Sequence, residues 1–219
     1  TPVDFGEDES ASLTNLSAYL IKFVIKHRLS RNGRNPSGDK ALQEGHILTV
    51  LQVTPELSAG GVERTTLEMA EAISRAGGLA LVASAGGRLE PDLEAAGGEL
   101  IRLPMNSKNP VTVFRNARRL EKLARRRTVQ IIHARSRAPG WSALIAARRL
   151  KLPFVTTYHG IYNAKSPLKK FYNSVMARGD LVIANSEYTR GVVLKEYKLD
   201  PSKVIAIPRG VDIEHFDRD

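Results

Sequence analysis

The stretch ILTVLQVTPELSAGGVERTTLEMAEAISRAGGLALVAS, residues 47–84, decides the architecture. It opens on an unbroken apolar and β-branched run at 47–53, passes a loop holding the glycine pair Gly60–Gly61, and enters a helical pattern over 62–77. Gly77–Gly78 suits the stop of that helix, and a second apolar run, 79–84, follows at once. A strand that is apolar without alternation needs cover on both faces, which a parallel sheet with helical crossovers supplies. The stretch therefore reads as a βαβ unit with a right-handed crossover.

The same rhythm continues downstream. Short apolar runs at 99–104, 129–134, 153–158, 180–185 and 203–208 alternate with helical segments near 91–97, 112–127, 139–150, 166–178 and 187–198. Pro167 suits a first helical turn, and Ser186 suits an N-cap before Glu187. The fold class is α/β, a doubly wound parallel sheet of Rossmann-like type, over residues 46–210. Residues 1–45 read as an N-terminal extension. Leu13, Leu16, Leu20, Phe23 and Val24 recur at helical spacing and predict one amphipathic helix near 12–29, followed by a linker at Ser30–Asp39. No internal repeat breaks this plan.

Composition narrows the function classes. The absence of cysteine excludes disulfides and thiolate metal sites, and permits a reducing cytosol. The most apolar stretch, Leu16–Ile25, contains Lys22 and falls far short of the ~20 apolar residues of a spanning helix. Acidic Asp4, Glu7, Asp8 and Glu9 stand where a signal peptide would be basic. A start at Thr1 suggests a fragment or a processed product. The formal net charge is +10, and it is concentrated: within 101–170, seventeen Lys and Arg face one acid, Glu121. Such a block either forms solvated helix faces or attracts polyanions, among them phospholipid head groups, nucleotide diphosphates and nucleic acid.

In an open α/β sheet, ligands gather beyond the carboxyl ends of the strands. The loop Thr54–Val62 lies there, and Gly60 and Gly61 allow the backbone to approach an oxygen-rich ligand at a helix N-terminus. It lacks the G-x-G-x-x-G of a dinucleotide site and the G-K-[ST] of a P-loop. After the fourth strand, Arg135 and Arg137 could hold a phosphate or carboxylate in forked geometry, or be solvated. Trp141 offers a plane to a sugar ring, or packs between helix and sheet. After the fifth strand, His159 precedes Gly160 and can present its ring to a ligand; His133 holds the matching place on its own strand. His27, His46 and His215 have no such placement. No metal-ligand set, Ser-His-Asp arrangement or carboxylate pair is visible, so a two-carboxylate hydrolase is disfavoured.

In order along the chain, GGVERTTLEMAEAI (60–73), IIHARSRAPGW (131–141), PFVTTYHGIY (153–162), DLVIANSEYTR (180–190) and VIAIPRGVDIEHF (204–216) resemble the N-terminal half of family 4 retaining glycosyltransferases, which adopt the GT-B fold. The chain departs from that pattern at Arg209, where the family usually has Asn. The resemblance implies one half of a GT-B cleft, with residues 211–219 starting an interdomain linker toward a donor-binding domain. It implies a nucleotide-sugar donor whose diphosphate or sugar meets Gly60 and Gly61, a transferred sugar meeting the catalytic His159, and a glycan or lipid-linked acceptor on the side of Arg135 and Arg137. It further implies retention of configuration, no metal or other cofactor, and negligible activity from these 219 residues alone. A cytoplasmic site of action follows, on the inner face of the plasma membrane, in bacterial envelope polysaccharide or lipopolysaccharide synthesis. Helix 112–127 and the segment 165–172 would grip anionic lipid in a salt-sensitive way. The alternative is a non-catalytic basic α/β domain that binds glycolipid or nucleic acid; no recognised nucleic-acid module is present.

Overall fold

The computed structural model describes residues 48–162 and 166–208. The expected helix over 12–29, the linker at 30–39, His27, His46, His215, Lys165 and the stretch 211–219 lie outside the described residues.

All seven expected strands form. They are β1 Thr49–Val53, β2 Leu79–Ser84, β3 Gly98–Arg102, β4 Ile131–Ala134, β5 Phe154–Tyr158, β6 Leu181–Ala184 and β7 Val204–Ala206. They make one parallel sheet in the order β3-β2-β1-β4-β5-β6-β7. Several are shorter than their apolar runs. Pro153 and Pro104 carry no N–H for the ladder, so β5 starts at Phe154 and β3 stops at Arg102.

The helices are α1 Gly61–Arg75, α2 Glu90–Ala95, α3 Pro110–Arg126, α4 Arg137–Leu150, α5 Pro167–Asn173 and α6 Glu187–Tyr197. Their boundaries follow local chemistry. Gly77 takes a left-handed φ of 73°, and the Gly78 amide returns to the Ile73 carbonyl, which stops α1. Asn109 caps α3 by accepting from the Val111 and Thr112 amides. Ser186 caps α6 by accepting from the Thr189 amide at 3.1 Å. One helix departs from the periodicity: the segment expected to be continuous over 166–178 is α5 followed by a 3-10 turn at Ser174–Arg178. There the Thr156 hydroxyl of β5 donates to the Met176 carbonyl at 2.5 Å, so the sheet claims a group a continuing helix would use.

The sheet divides two apolar layers. Met69, Ala70 and Ile73 of α1 and Leu93 of α2 pack with Val50, Val82 and Ile131 on one face. Leu120 of α3, Ala143 and Ala147 of α4, Met176 of the 3-10 turn and Val193 of α6 pack with Leu51, Ile132 and Phe154 on the other. Among the described residues, no helix is long and apolar enough to cross a membrane.

Candidate functional site

Strand order reverses between β1 and β4. The chain leaves β1 toward β2 and β3, then returns to lay β4 against the opposite edge of β1. The loops leaving these two strands therefore diverge and leave a crevice at the carboxyl edge.

Gly60 and Gly61 sit on one side of that crevice. Gly60 has φ 140° and ψ 173°, a region that essentially only glycine occupies, and it is the N-cap of α1 with no side chain capping the helix. A Cβ on Gly60 would stand 2.7 Å from a carboxylate oxygen of Glu63. The positive end of α1 thus opens on the crevice with no side chain capping its amides, and the Glu63 carboxylate of its first turn lies beside Gly60.

The loop bearing this pair is held by the main chain of its neighbour. The Leu57 amide donates to Gly86, the Leu89 amide returns to Leu57, and the Ala85 amide donates to Pro55. Gly87, at φ 155°, lies so close that a Cβ would be 2.5 Å from the Leu57 carbonyl. Glu90 steadies the second loop by accepting from the Gly87 amide. That bond, with the Arg102 guanidinium beside it, lowers the carboxyl below its usual range. The Gly86–Gly87 pair is a supporting element that periodicity did not single out, although two glycines directly after a strand were a visible signal.

Arg135 takes a place that its residue type does not suggest. It is 2% exposed, lies below the first turn of α1, and donates from Nη2 to the Thr65 hydroxyl. Thr65 in turn donates to the Gly61 and Val62 carbonyls. The cation is therefore connected to Gly61 through one hydroxyl, on the glycine side of the crevice, instead of standing out in solvent.

Arg137, two residues on, is boxed separately. Its guanidinium lies 4.2 Å from the Tyr162 ring and 5.9 Å from the Tyr172 ring, and it donates to Asn173 Oδ1 at 2.7 Å. Burial pushes the Tyr162 phenol up to about 12, with Arg137 opposing. Trp141 packs against the core layer, stacks on Phe171 at 5.2 Å and donates to the Tyr172 carbonyl.

His159 follows β5, half-buried, and its carbonyl accepts from Asn185 Nδ2 at 3.2 Å. Asn185 also accepts from Thr189 at 2.8 Å and donates its amide to the Tyr158 carbonyl. This residue at the end of β6 clamps the backbone that carries His159. Gly160 shows no left-handed φ, and a Cβ there would meet nothing within 4 Å. Backbone conformation is therefore not what selects glycine at this position; the space beside it is open.

His133 lies below His159 on the same face of the sheet, fully buried, with Nε2 2.7 Å from the Thr157 hydroxyl. Burial first, then the nearby charges of Arg135 and His159, hold its imidazole well below the usual range, so it is neutral. Gln52, its register partner on β1, donates to the Thr66 carbonyl of α1. One polar strip thus runs across β1, β4 and β5 beneath the crevice. Among the described residues, no group of three metal-ligating side chains occurs.

The profile of Glycosyltransferase Family 4 matches residues 59–215. Over 78% of its length the chain is similar to a glycosyltransferase from Rickettsia africae, at 39% identity and a TM-score of 0.69, covering 45% of that protein. It shares its fold with HepE from Anabaena, solved in complex with UDP and glucose: 19% identity, TM-score 0.60, 77% of this chain and 46% of that one. Sucrose-phosphate synthase from Thermosynechococcus elongatus is a further fold neighbour, at 16% identity and a TM-score of 0.60, with 76% and 49% covered. The chain spans about half the length of these proteins. No curated protein matches the sequence.

Proposed function

The chain belongs to glycosyltransferase family 4, and from that premise we propose that it forms the acceptor-side half of an enzyme that moves a sugar from a nucleotide-sugar donor to a glycan or lipid-linked acceptor. The observation that carries this reading is the N-terminus of α1 at the strand-order reversal, with no side-chain cap, glycine at 60 and 61 and a buried arginine below.

The chemistry follows from charge. Breaking the bond between sugar and diphosphate places negative charge on the leaving oxygen and positive charge on the sugar ring. The positive end of α1, with the Arg135 cation connected through Thr65, stabilises the first. His159, held at its backbone by Asn185, faces the sugar and orients it. Arg137 in its tyrosine box marks the acceptor side. The reaction retains anomeric configuration and assigns leaving-group stabilisation to the helix end instead of a metal. The Anabaena fold neighbour, solved in complex with UDP and glucose, supports a nucleotide diphosphate as the ligand class here. Envelope polysaccharide or lipopolysaccharide synthesis at the cytoplasmic membrane face is the setting that suits the basic surface.

The test is sugar transfer from a panel of nucleotide sugars to lipid-extract acceptors. It compares the 219-residue chain alone with the chain joined to the second half of the Rickettsia africae protein. The chain alone should give no transfer. The joined protein should give product of retained configuration, read by NMR of the anomeric proton, and His159→Ala should lower its rate about 10²-fold. An inverted product, or full activity in His159→Ala, overturns the reading.

A further inference from the structure

Six large apolar side chains are exposed among the described residues, each between 44% and 78%: Val111, Phe114, Ile161, Leu168, Phe171 and Tyr188. Exposed apolar residues scattered singly need no explanation. These are not scattered. Val111 and Phe114 lie at the start of α3, Ile161 in the loop after β5, Leu168 and Phe171 on α5, and Tyr188 in the first turn of α6. Each of these segments begins at the carboxyl edge of the parallel sheet. All six therefore share the rim that carries the crevice.

The rim is also cationic. On α3, Asn116, Ala117, Leu120 and Ala124 face the core. Val111, Phe114, Arg115 and Arg118 form a second stripe at helical spacing, turned outward, around a shallow hollow of about 440 Å³. Arg118 and Arg149 lie over the Phe114 ring at 5.4 and 4.9 Å. On α5, exposed Lys169 and Lys170 stand between Leu168 and Phe171, and Arg178 lies over the Phe171 ring. Apolar side chains interleaved with cations match a bilayer with anionic head groups: the apolar groups enter the acyl boundary while guanidinium and ammonium groups meet phosphate.

We propose that this carboxyl-edge rim, not the basic length of α3, docks the protein on an anionic bilayer with the crevice mouth turned to the membrane. The far end of α3 is a poorer candidate. Arg127 there is paired with Glu99. Arg125 lies roughly 16 Å along the helix axis from Phe114, beyond the ~8 Å screening length of physiological salt. Apolar insertion also separates this docking from a purely electrostatic one, because it survives screening. Docking of this kind is independent of sugar transfer.

The experiment is vesicle co-sedimentation of the whole 219-residue chain. Vesicles are phosphatidylcholine alone, or phosphatidylcholine mixed with phosphatidylglycerol, at physiological salt and at about 1 M salt, where the screening length is about 3 Å. The expected result is binding to the mixed vesicles that falls, but persists, at high salt. Phe114→Ser with Leu168→Ser should lower partitioning at least about tenfold at both salts. Val111→Ser with Leu168→Ser serves as a second pair if the first shifts the thermal unfolding midpoint. Arg125→Glu with Arg126→Glu should change partitioning less than about threefold. The predicted helix at 12–29 is present in every variant and cancels. Binding abolished by salt, or lost in the charge reversals and kept in the apolar pairs, overturns the proposal. So does tight binding to single-stranded RNA, unaffected by Phe114→Ser, without vesicle binding.

Discussion

Acidification tests the buried strip beneath the crevice. His133 is fully buried, and burial together with the nearby positive charges holds its imidazole well below 6.5. In the unfolded chain it titrates near its ordinary value. As pH falls through 6.5 the unfolded state takes up a proton that the folded state refuses, so stability decreases with decreasing pH. One such proton changes stability by about 1.4 kcal/mol per pH unit, so a shift from about pH 7.5 to about pH 5 removes about 2 kcal/mol through His133 alone. His133→Gln keeps a polar group beside Thr157 and has no titration. Urea unfolding of both proteins at both pH values gives the double difference, in which the other four histidines cancel. The wild type should lose about 2 kcal/mol more than the variant. Equal losses would mean that the folded imidazole protonates as readily as the unfolded one, and would refute the neutral, buried assignment.

Two further perturbations follow from the same region. Gly87→Ala should cost about 3 kcal/mol, because it sets a Cβ against the Leu57 carbonyl at a left-handed φ, whereas Gly160→Ala should stay within about 0.5 kcal/mol. Thermal unfolding reads both, and in the joined two-half enzyme Gly160→Ala should still lower sugar transfer, since it fills the space beside His159. Arg135→Met removes the bond to Thr65 and should cost about 1–3 kcal/mol, with faster hydrogen exchange confined to 61–66. Unchanged protection there would show that Arg135 does not hold the first turn of α1.

The architecture was readable because its signals are local. An unbroken apolar run such as LALVAS can only be covered on both faces, and Gly77–Gly78 and Ser186 stop and start helices through their own backbone chemistry. The break of α5 at Ser174 was not, because its cause is a hydroxyl on β5 that reaches the Met176 carbonyl only after folding. The glycines and His159 were legible as residues placed after strands. What Arg135 and Arg137 touch was not. Charge type suggests solvent, while their partners, Thr65 at a separation of 70 residues and Asn173 at 36, are set by strand order and register. The clamp of Asn185 on His159 was hidden for the same reason, 26 residues away on the next strand.

The loop after β1 is secured to the loop after β2 by peptide groups: Leu57 to Gly86, Leu89 to Leu57, Ala85 to Pro55. Hydrogen bonds of that kind survive almost any change of side chain. Glu56, Ser58 and Ala59 can therefore be exchanged without shifting Gly60. A lineage built on this scaffold can redraw the surface of the crevice, one residue at a time, while the ledge formed by the two loops keeps its shape. Only the glycines are denied that freedom.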